Sequence, residues 1–396
     1  MRKTNLSGTA TMVLLLALGS VSLLGAASES ISETCGRTPC KQDQTDKCAP
    51  AYHDYALFIA GLSNPESALA ADEDQPAWVR HARFFDHNWE SFTRRRLAPM
   101  REWAAKELGA ASAATVFYPF SGPDFVNVFV LFPRAKTYLL IALEPVGELP
   151  DFSARPGQNF FASLQRSLYD LLQLDFFKTN QMRSSLGKGE LKGALPVLMF
   201  FLAREQARVL DVQYWVMQPD GTIAESPALG PRDRPTGIPG VRIVFASPGE
   251  PGNQTLYYFQ FNLANNSLER NQQFVSFLKS FGPVTTFAKA ASYLMYKPHF
   301  SAIREFILDQ SLYVLQGDSG IPLRYFDPSV WNLRFYGAYA GPIALFRNCY
   351  QADMANIYRR GDIQPLPFGI DYRHRARTSN LMFASKQVKV LARDPK

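Results

Sequence analysis

The sequence predicts an α/β fold: a Rossmann-like mixed sheet with flanking helices and an N-terminal helical segment. Three observations carry this expectation. From Thr115 to Gly147 come an extended apolar segment, a Ser-Gly-Pro-Asp turn, an apolar run to Phe132, a Pro-Arg-Ala-Lys break and a second apolar segment closing on Glu144-Pro145-Val146-Gly147. Beyond Gly147, amphipathic and β-rich stretches alternate along the chain. Finally, 46% of the 396 residues are hydrophobic and 13% aromatic, enough for a sizeable core.

The chain divides by composition into a leader (1–27), a polar cysteine-bearing arm (28–50) and a single α/β domain (51–396), helical over 51–110. Arg2 and Lys3 precede an apolar run from Met12 to Leu24 that ends in Gly25-Ala26-Ala27. That is the pattern of a secretory signal peptide; the alternative is an uncleaved anchor, which Gly19, Ser20 and Ser22 interrupt and leave short. The expectation is an exported protein, periplasmic or extracellular, with no later transmembrane segment. Four cysteines come after the leader: Cys35, Cys40, Cys48 and Cys349. An even number in an exported chain predicts two disulfides, and full pairing ties one arm cysteine to Cys349. The spacings are not those of zinc sites, so no metal is expected.

Within the domain, Tyr52–Leu62 reads as a short helix. Pro76 opens a longer helical stretch with Trp78, Phe84, Phe85, Trp89 and Phe92 at helical spacing, and Pro99 should break or kink it. In the Thr115–Gly147 segment, Val126–Phe132 suits a strand by its β-branched content. It suits a helix if Pro123 is its first residue, capped by Ser121 or Gly122, with Asp124 in the first turn; the capping chemistry favours the helix. The segment then becomes a βαβ unit. Helices are expected at Phe160–Phe177 and Ala194–Gln206, a strand at Arg208–Met217, a turn at Gln218–Gly221 and a loop at Pro227–Gly240. Val241–Ala246 and Thr255–Leu263 read as an antiparallel pair. A helix runs from Asn266 through Phe281, then a short strand and helix in Thr285–Tyr296, a helix at His299–Leu308 and a strand at Ser311–Gln316. The last third holds strand-like residues at 333–336, a helix near Ala352–Tyr358 and an ending rich in Pro, Arg and Lys.

Formal charge is +7, thinly spread. Basic clusters at Arg94–Arg96, Arg359-Arg360 and Arg373–Arg377 read as solvated faces or as peripheral contacts with phosphate-rich envelope material. A dense basic stripe is lacking, which argues against nucleic-acid binding. No spacing points to a cofactor, and oligomeric state is not legible.

Two parallel strands would place Ser121 and Asp124, after the first, beside Glu144, at the end of the second, on the edge where open α/β folds hold ligands. Asp318 and Ser319 come after the strand Ser311–Gln316 and join them if it runs the same way; His299 is a candidate base. The alternative is that these residues are helix caps, turns and ion-pair partners. Gly122 and Glu144 also fit the layout of nucleotide-binding folds, and Phe132-Pro133-Arg134-Ala135 resembles the methyltransferase version of it. The turn holds one glycine where the nucleotide motif needs several. Gly317-Asp318-Ser319-Gly320 is similar to the nucleophile loop of trypsin-like proteases, with Ile321 where that family has another glycine. At Tyr118–Asp124, Leu143–Gly147 and Asp318–Pro322 the chain resembles a group of predicted exported bacterial proteins of unknown activity. The expected function is therefore binding of a ligand or envelope component. The alternatives are a hydrolase or transferase at the Ser121, Asp124, Glu144, Asp318 edge, and a degenerate nucleotide- or S-adenosylmethionine-binding fold.

Overall fold

The computed structural model describes residues 51–109, 113–149, 158–174, 191–226 and 237–387. The leader, the arm with Cys35, Cys40 and Cys48, and most of the expected 227–240 loop lie outside them.

A mixed α/β architecture is built on one ten-stranded sheet, ordered β4-β3-β5-β6-β2-β1-β7-β8-β10-β9. The strands are β1 (Thr115–Pro119), β2 (Thr137–Ala142), β3 (Arg208–Met217), β4 (Ile223–Ser226) and β5 (Ile238–Ala246). They continue with β6 (Gln254–Gln260), β7 (Val284–Ala288), β8 (Ser311–Gln316), β9 (Trp331–Gly337) and β10 (Asn380–Lys386). The central five, β6-β2-β1-β7-β8, are all parallel. An antiparallel β3-β4-β5 extension flanks them on one side, and β10 pairs antiparallel with both β8 and β9 on the other.

Strand periodicity decides the layers. Val116, Tyr118, Tyr138 and Leu140 point into one core, while Phe117, Leu139 and Ile141 point into the other. The first face is covered by α1 (Tyr52–Ala60), α2 (Pro76–Phe92), α3 (Ala98–Glu107), α4 (Phe125–Leu131), α5 (Gln158–Leu174) and α6 (Leu195–Arg204). The second is covered by α7 (Gln272–Ser280), α8 (Ser301–Gln310) and α9 (Ala352–Arg360). The apolar stripe of α2 is Trp78, Phe85 and Phe92, one residue every two turns. Every residue of α6 from Leu195 to Ala203 is buried, as expected of a helix apolar on all sides.

Several expectations are corrected. Residues 125–131 are helical, but Asp124 occupies the cap position and makes no side-chain cap bond. Pro99 does not interrupt its helix. The irregularity lies just upstream, in a π-helical turn at Thr93–Leu97 between α2 and α3; the wider turn relieves the clash that a proline ring makes with the carbonyl four residues back. Arg96 is not solvated: it is buried and donates to the carbonyls of Gly369 and His374. Arg373 likewise donates to Gly341 and Pro342. Residues 294–300 form 3-10 turns, not a helix. Strands β4 and β10 lie outside the expected elements, the latter because it sits in the Arg-rich ending. Cys349 carries a free thiol, and the three cysteines expected to pair with it lie outside the described residues.

Candidate functional site

Parallel strands bring their carboxyl ends to one edge, and β1 stands where the order reverses, between β2 and β7. A cavity of about 380 Å³ opens there. Its wall is made by residues just past the ends of four neighbouring strands: Phe120, Ser121, Gly122 and Asp124 after β1, and Leu143 and Glu144 after β2. Phe261, Asn262 and Leu263 extend β6, and Lys289, Ala290 and Ser292 extend β7. Leu294 and Phe300 complete an apolar side, and Leu143 is exposed at the rim.

The sequence candidates separate into three places. Ser121, Asp124 and Glu144 line this cavity. Ser121 lies within it as a turn residue, its Oγ donating to the carbonyls of Gly122 at 2.7 Å and Ile141 at 3.3 Å. Asp124 accepts from Tyr118 Oη at 3.0 Å and Asn127 Nδ2 at 2.9 Å. Its Oδ2 also meets Lys289 Nζ at 2.5 Å. Glu144 is buried, and its carbonyl accepts from Tyr258 Oη at 2.9 Å.

Asp318 and Ser319 lie in a second, buried cluster at the end of β8, which does run parallel to β7. Ser319 Oγ donates to Asp371 Oδ2 at 2.5 Å and accepts from the Ala291 amide at 3.1 Å. Asp318 accepts from Tyr293 Oη at 2.7 Å and Asn380 Nδ2 at 3.1 Å. Burial, and next the charge of Asp318, push the Asp371 carboxyl up to about 6. Burial also raises Asp318, against the pull of its Tyr293 and Asn380 hydrogen bonds. The glycine of the Gly317-Asp318-Ser319-Gly320 motif has a packing reason: a Cβ on Gly317 would collide with the Asp371 carboxylate.

His299, the third location, is exposed on a 3-10 turn and does not line the cavity. In the N-terminal helices His81 lies in the core, against Phe85 and Phe161, where burial drives it down to about 4. Neither His299 nor His81 therefore joins Ser121 or Ser319 to an acid.

The two clusters are joined by the segment Ala290–Tyr293. Ala290, Ser292 and Tyr293 all have left-handed backbones, φ +50°, +51° and +53°. Phe120 at +58° and Asp371 at +64° add two more non-glycine cases at this edge, and such backbones concentrate at functional sites. The segment is braced from behind: Tyr372 Oη donates to the Ala290 carbonyl at 2.9 Å and lies 2.7 Å from Ser292 Oγ. Arg96 anchors the 369–374 loop that carries Asp371 and Tyr372.

No protein-family model, curated protein or solved structure matches this chain.

The site is thus read from its own geometry. Lys289, Asn262 and Asp371 are not among the residues that sequence patterns single out. A lone lysine closing the β-rich segment Val284–Ala288 is an available signal for Lys289, since a charge buried there must face a partner. Asp371 sits in a proline- and arginine-rich stretch with no period to mark it. Among the described residues no cluster of His, Cys, Asp and Glu could hold a metal, and no helix is long and apolar enough to cross a membrane.

Proposed function

We propose that this is an exported ligand-binding protein with a Rossmann-like core, and that its ligand is a neutral or cationic nucleoside-type molecule held in the carboxyl-edge cavity. The observation that carries the reading is the wall itself, built from the ends of β6, β2, β1 and β7 around the strand where the order reverses. In chain order the parallel core reads third, second, first, fourth, fifth, as in dinucleotide-binding folds. The antiparallel β10 slotted inside β9 is similar to the methyltransferase variant, a likeness of fold alone.

The lining chemistry selects within nucleotides. Glu144 ends β2, where an acid suits ribose hydroxyls, and Asn262 with Phe261 and Leu263 offers an amide beside apolar surface for a base. Phosphates fit poorly. The turn after β1 has one glycine, Pro123 lacks an amide, and the Asp124 carboxylate stands at the start of α4 where a phosphate would need to approach. The lining charges are Lys289 against Asp124 and Glu144, which disfavours an anion. Export rests on Arg2-Lys3, the Met12–Leu24 run and the small residues after it.

Calorimetric titration with adenosine, S-adenosylmethionine and ATP tests the ligand. Adenosine or S-adenosylmethionine should bind with a dissociation constant below about 1 mM. ATP should bind at least roughly tenfold more weakly than either. Glu144→Gln should weaken the preferred ligand roughly tenfold. Binding of ATP in preference to both, or of none of the three, would sink the nucleoside reading. Fractionation of cells expressing the full chain tests export, and retention in the cytoplasm would refute it.

A further inference from the structure

The opposite, amino-terminal edge of the sheet carries a larger groove, of about 770 Å³. It lies where Pro133 leads into β2 and Ser247–Glu250 lead into β6, roofed by the junction of α2, the π turn and α3. Three features set it apart from an ordinary crevice. Thr93 and Arg94 reach it from the π turn, an irregularity frequent at functional sites. Gln206, also in the wall, has a left-handed backbone at φ +61°. Among the described residues, Thr93 Oγ1, Arg204 Nη2 and Glu205 Oε1 are buried without a hydrogen-bond partner, and all three residues line this groove. Leaving such an atom buried and unpaired is costly. Three on one wall mark a surface made to be completed.

Charge balance narrows the ligand. Arg94, Arg101 and Arg204 stand with Glu90, Glu205 and Glu250 in the wall, three cations against three anions. Most are already paired: Arg94 with Glu90 at 3.5 Å, Arg101 with Glu205 at 2.5 Å and Arg204 with Asp86 at 2.8 Å. A free anion or cation would gain no net attraction and would have to break one of these pairs. A neutral ligand rich in hydroxyls need not, because each hydroxyl both donates and accepts and can bridge an arginine and a carboxylate together. Trp89 and Phe129 supply flat apolar surface on the same wall, suited to the C–H face of a sugar ring.

We propose that this groove binds a neutral carbohydrate, with Trp89 and Phe129 against the ring and its hydroxyls on Arg101, Arg204, Glu205 and Thr93. Arg204 Nη2 and Glu205 Oε1, buried without a partner, are the atoms that the hydroxyls would satisfy. This site is independent of the carboxyl-edge cavity.

The test is titration of the full-length protein with maltotriose, cellotriose and chitotriose, read by calorimetry. At least one should bind with a dissociation constant below about 1 mM. Its affinity should change less than about twofold between low and high salt, because the groove is neutral. Arg101→Gln and Trp89→Leu should each weaken it roughly tenfold or more, with adenosine affinity at the other edge unchanged. Should Trp89→Leu fail to fold, Arg94→Ala, at an exposed rim position, replaces it with a smaller expected loss of about threefold. The proposal is overturned if none of the three sugars binds at about 10 mM, if binding survives the variants unchanged, or if inorganic phosphate competes for the site.

Discussion

Lys289 and Asp124 meet at 2.5 Å with only 2% and 3% of their side chains exposed, beside the strand at which the sheet order reverses. Asp124 accepts from Tyr118 and Asn127 as well, so three side chains hold its carboxylate. The pair forms one wall of the cavity and also ties β7 to the β1–α4 turn. Removing one partner of a buried pair leaves the other charge stranded, at about 3–5 kcal/mol. Lys289→Met should therefore destabilise the protein by about that much in urea unfolding. Combined with Asp124→Asn, the loss should fall at least about 2 kcal/mol short of the sum of the two single losses. Additive losses would mean that the two residues act separately.

The Asp318 and Asp371 pair predicts a stability that declines as pH rises. The Asp371 carboxyl is lifted to about 6, above its unfolded value, so the folded state holds its proton more tightly. That contribution is fully present below about pH 4 and lost as pH passes 6, amounting to about 3 kcal/mol over the window. Asp371→Asn should flatten this part of the profile. The comparison of wild type and variant by urea unfolding at several pH values isolates it from other acids, and parallel profiles would refute the assignment.

Gly147, which closes the Leu-Glu-Pro-Val-Gly motif, lies against Gly193, with a Cβ on it only 2.5 Å from the Gly193 Cα. Its φ is +80°. Gly147→Ala should cost about 3 kcal/mol, combining left-handed strain with overpacking. Gly249→Ala has a similar φ, +78°, but nothing within 4 Å, and should cost only about 1 kcal/mol. Equal losses in thermal unfolding would show that contact contributes nothing.

Cys349 should be alkylated by iodoacetamide in the native protein and found so by peptide mass mapping. Its thiol is raised by burial and by Asp318, against Lys297. The reaction should thus be slow at neutral pH and accelerate as the solution turns alkaline. Recovery of Cys349 in a disulfide with Cys35, Cys40 or Cys48 would contradict this.

Tyr372→Phe removes the hydroxyl that bonds the Ala290 carbonyl and meets Ser292 Oγ. Adenosine affinity should fall about threefold to tenfold as the segment relaxes, with a stability loss near 1 kcal/mol. An unchanged affinity would mean that the brace does not shape the cavity.

The Thr115–Gly147 segment shows how far local chemistry reaches. Its β-rich, turn, helical and β-rich pieces name their own conformations, because backbone propensity, proline and apolar period act over a few residues. They also suffice to place Ser121, Asp124 and Glu144 on one edge once the strands are parallel. The cap expected at Ser121 or Gly122 is a local inference: the cap position falls to Asp124, whose carboxylate is taken by Tyr118, Asn127 and Lys289.

Along the rest of the chain, local composition suffices for the alternation of strands and helices, their buried faces and the turn residues at strand ends. It does not reach the pairings: that Lys289 meets Asp124, that Ser319 meets Asp371 and that Arg96 is buried under the 369–374 loop all depend on the tertiary arrangement. The difference is one of range. Hydrophobic period and turn chemistry repeat within a segment, whereas the partner of a buried charge is set by which strands become neighbours. Strand order leaves no mark in the composition of any single strand.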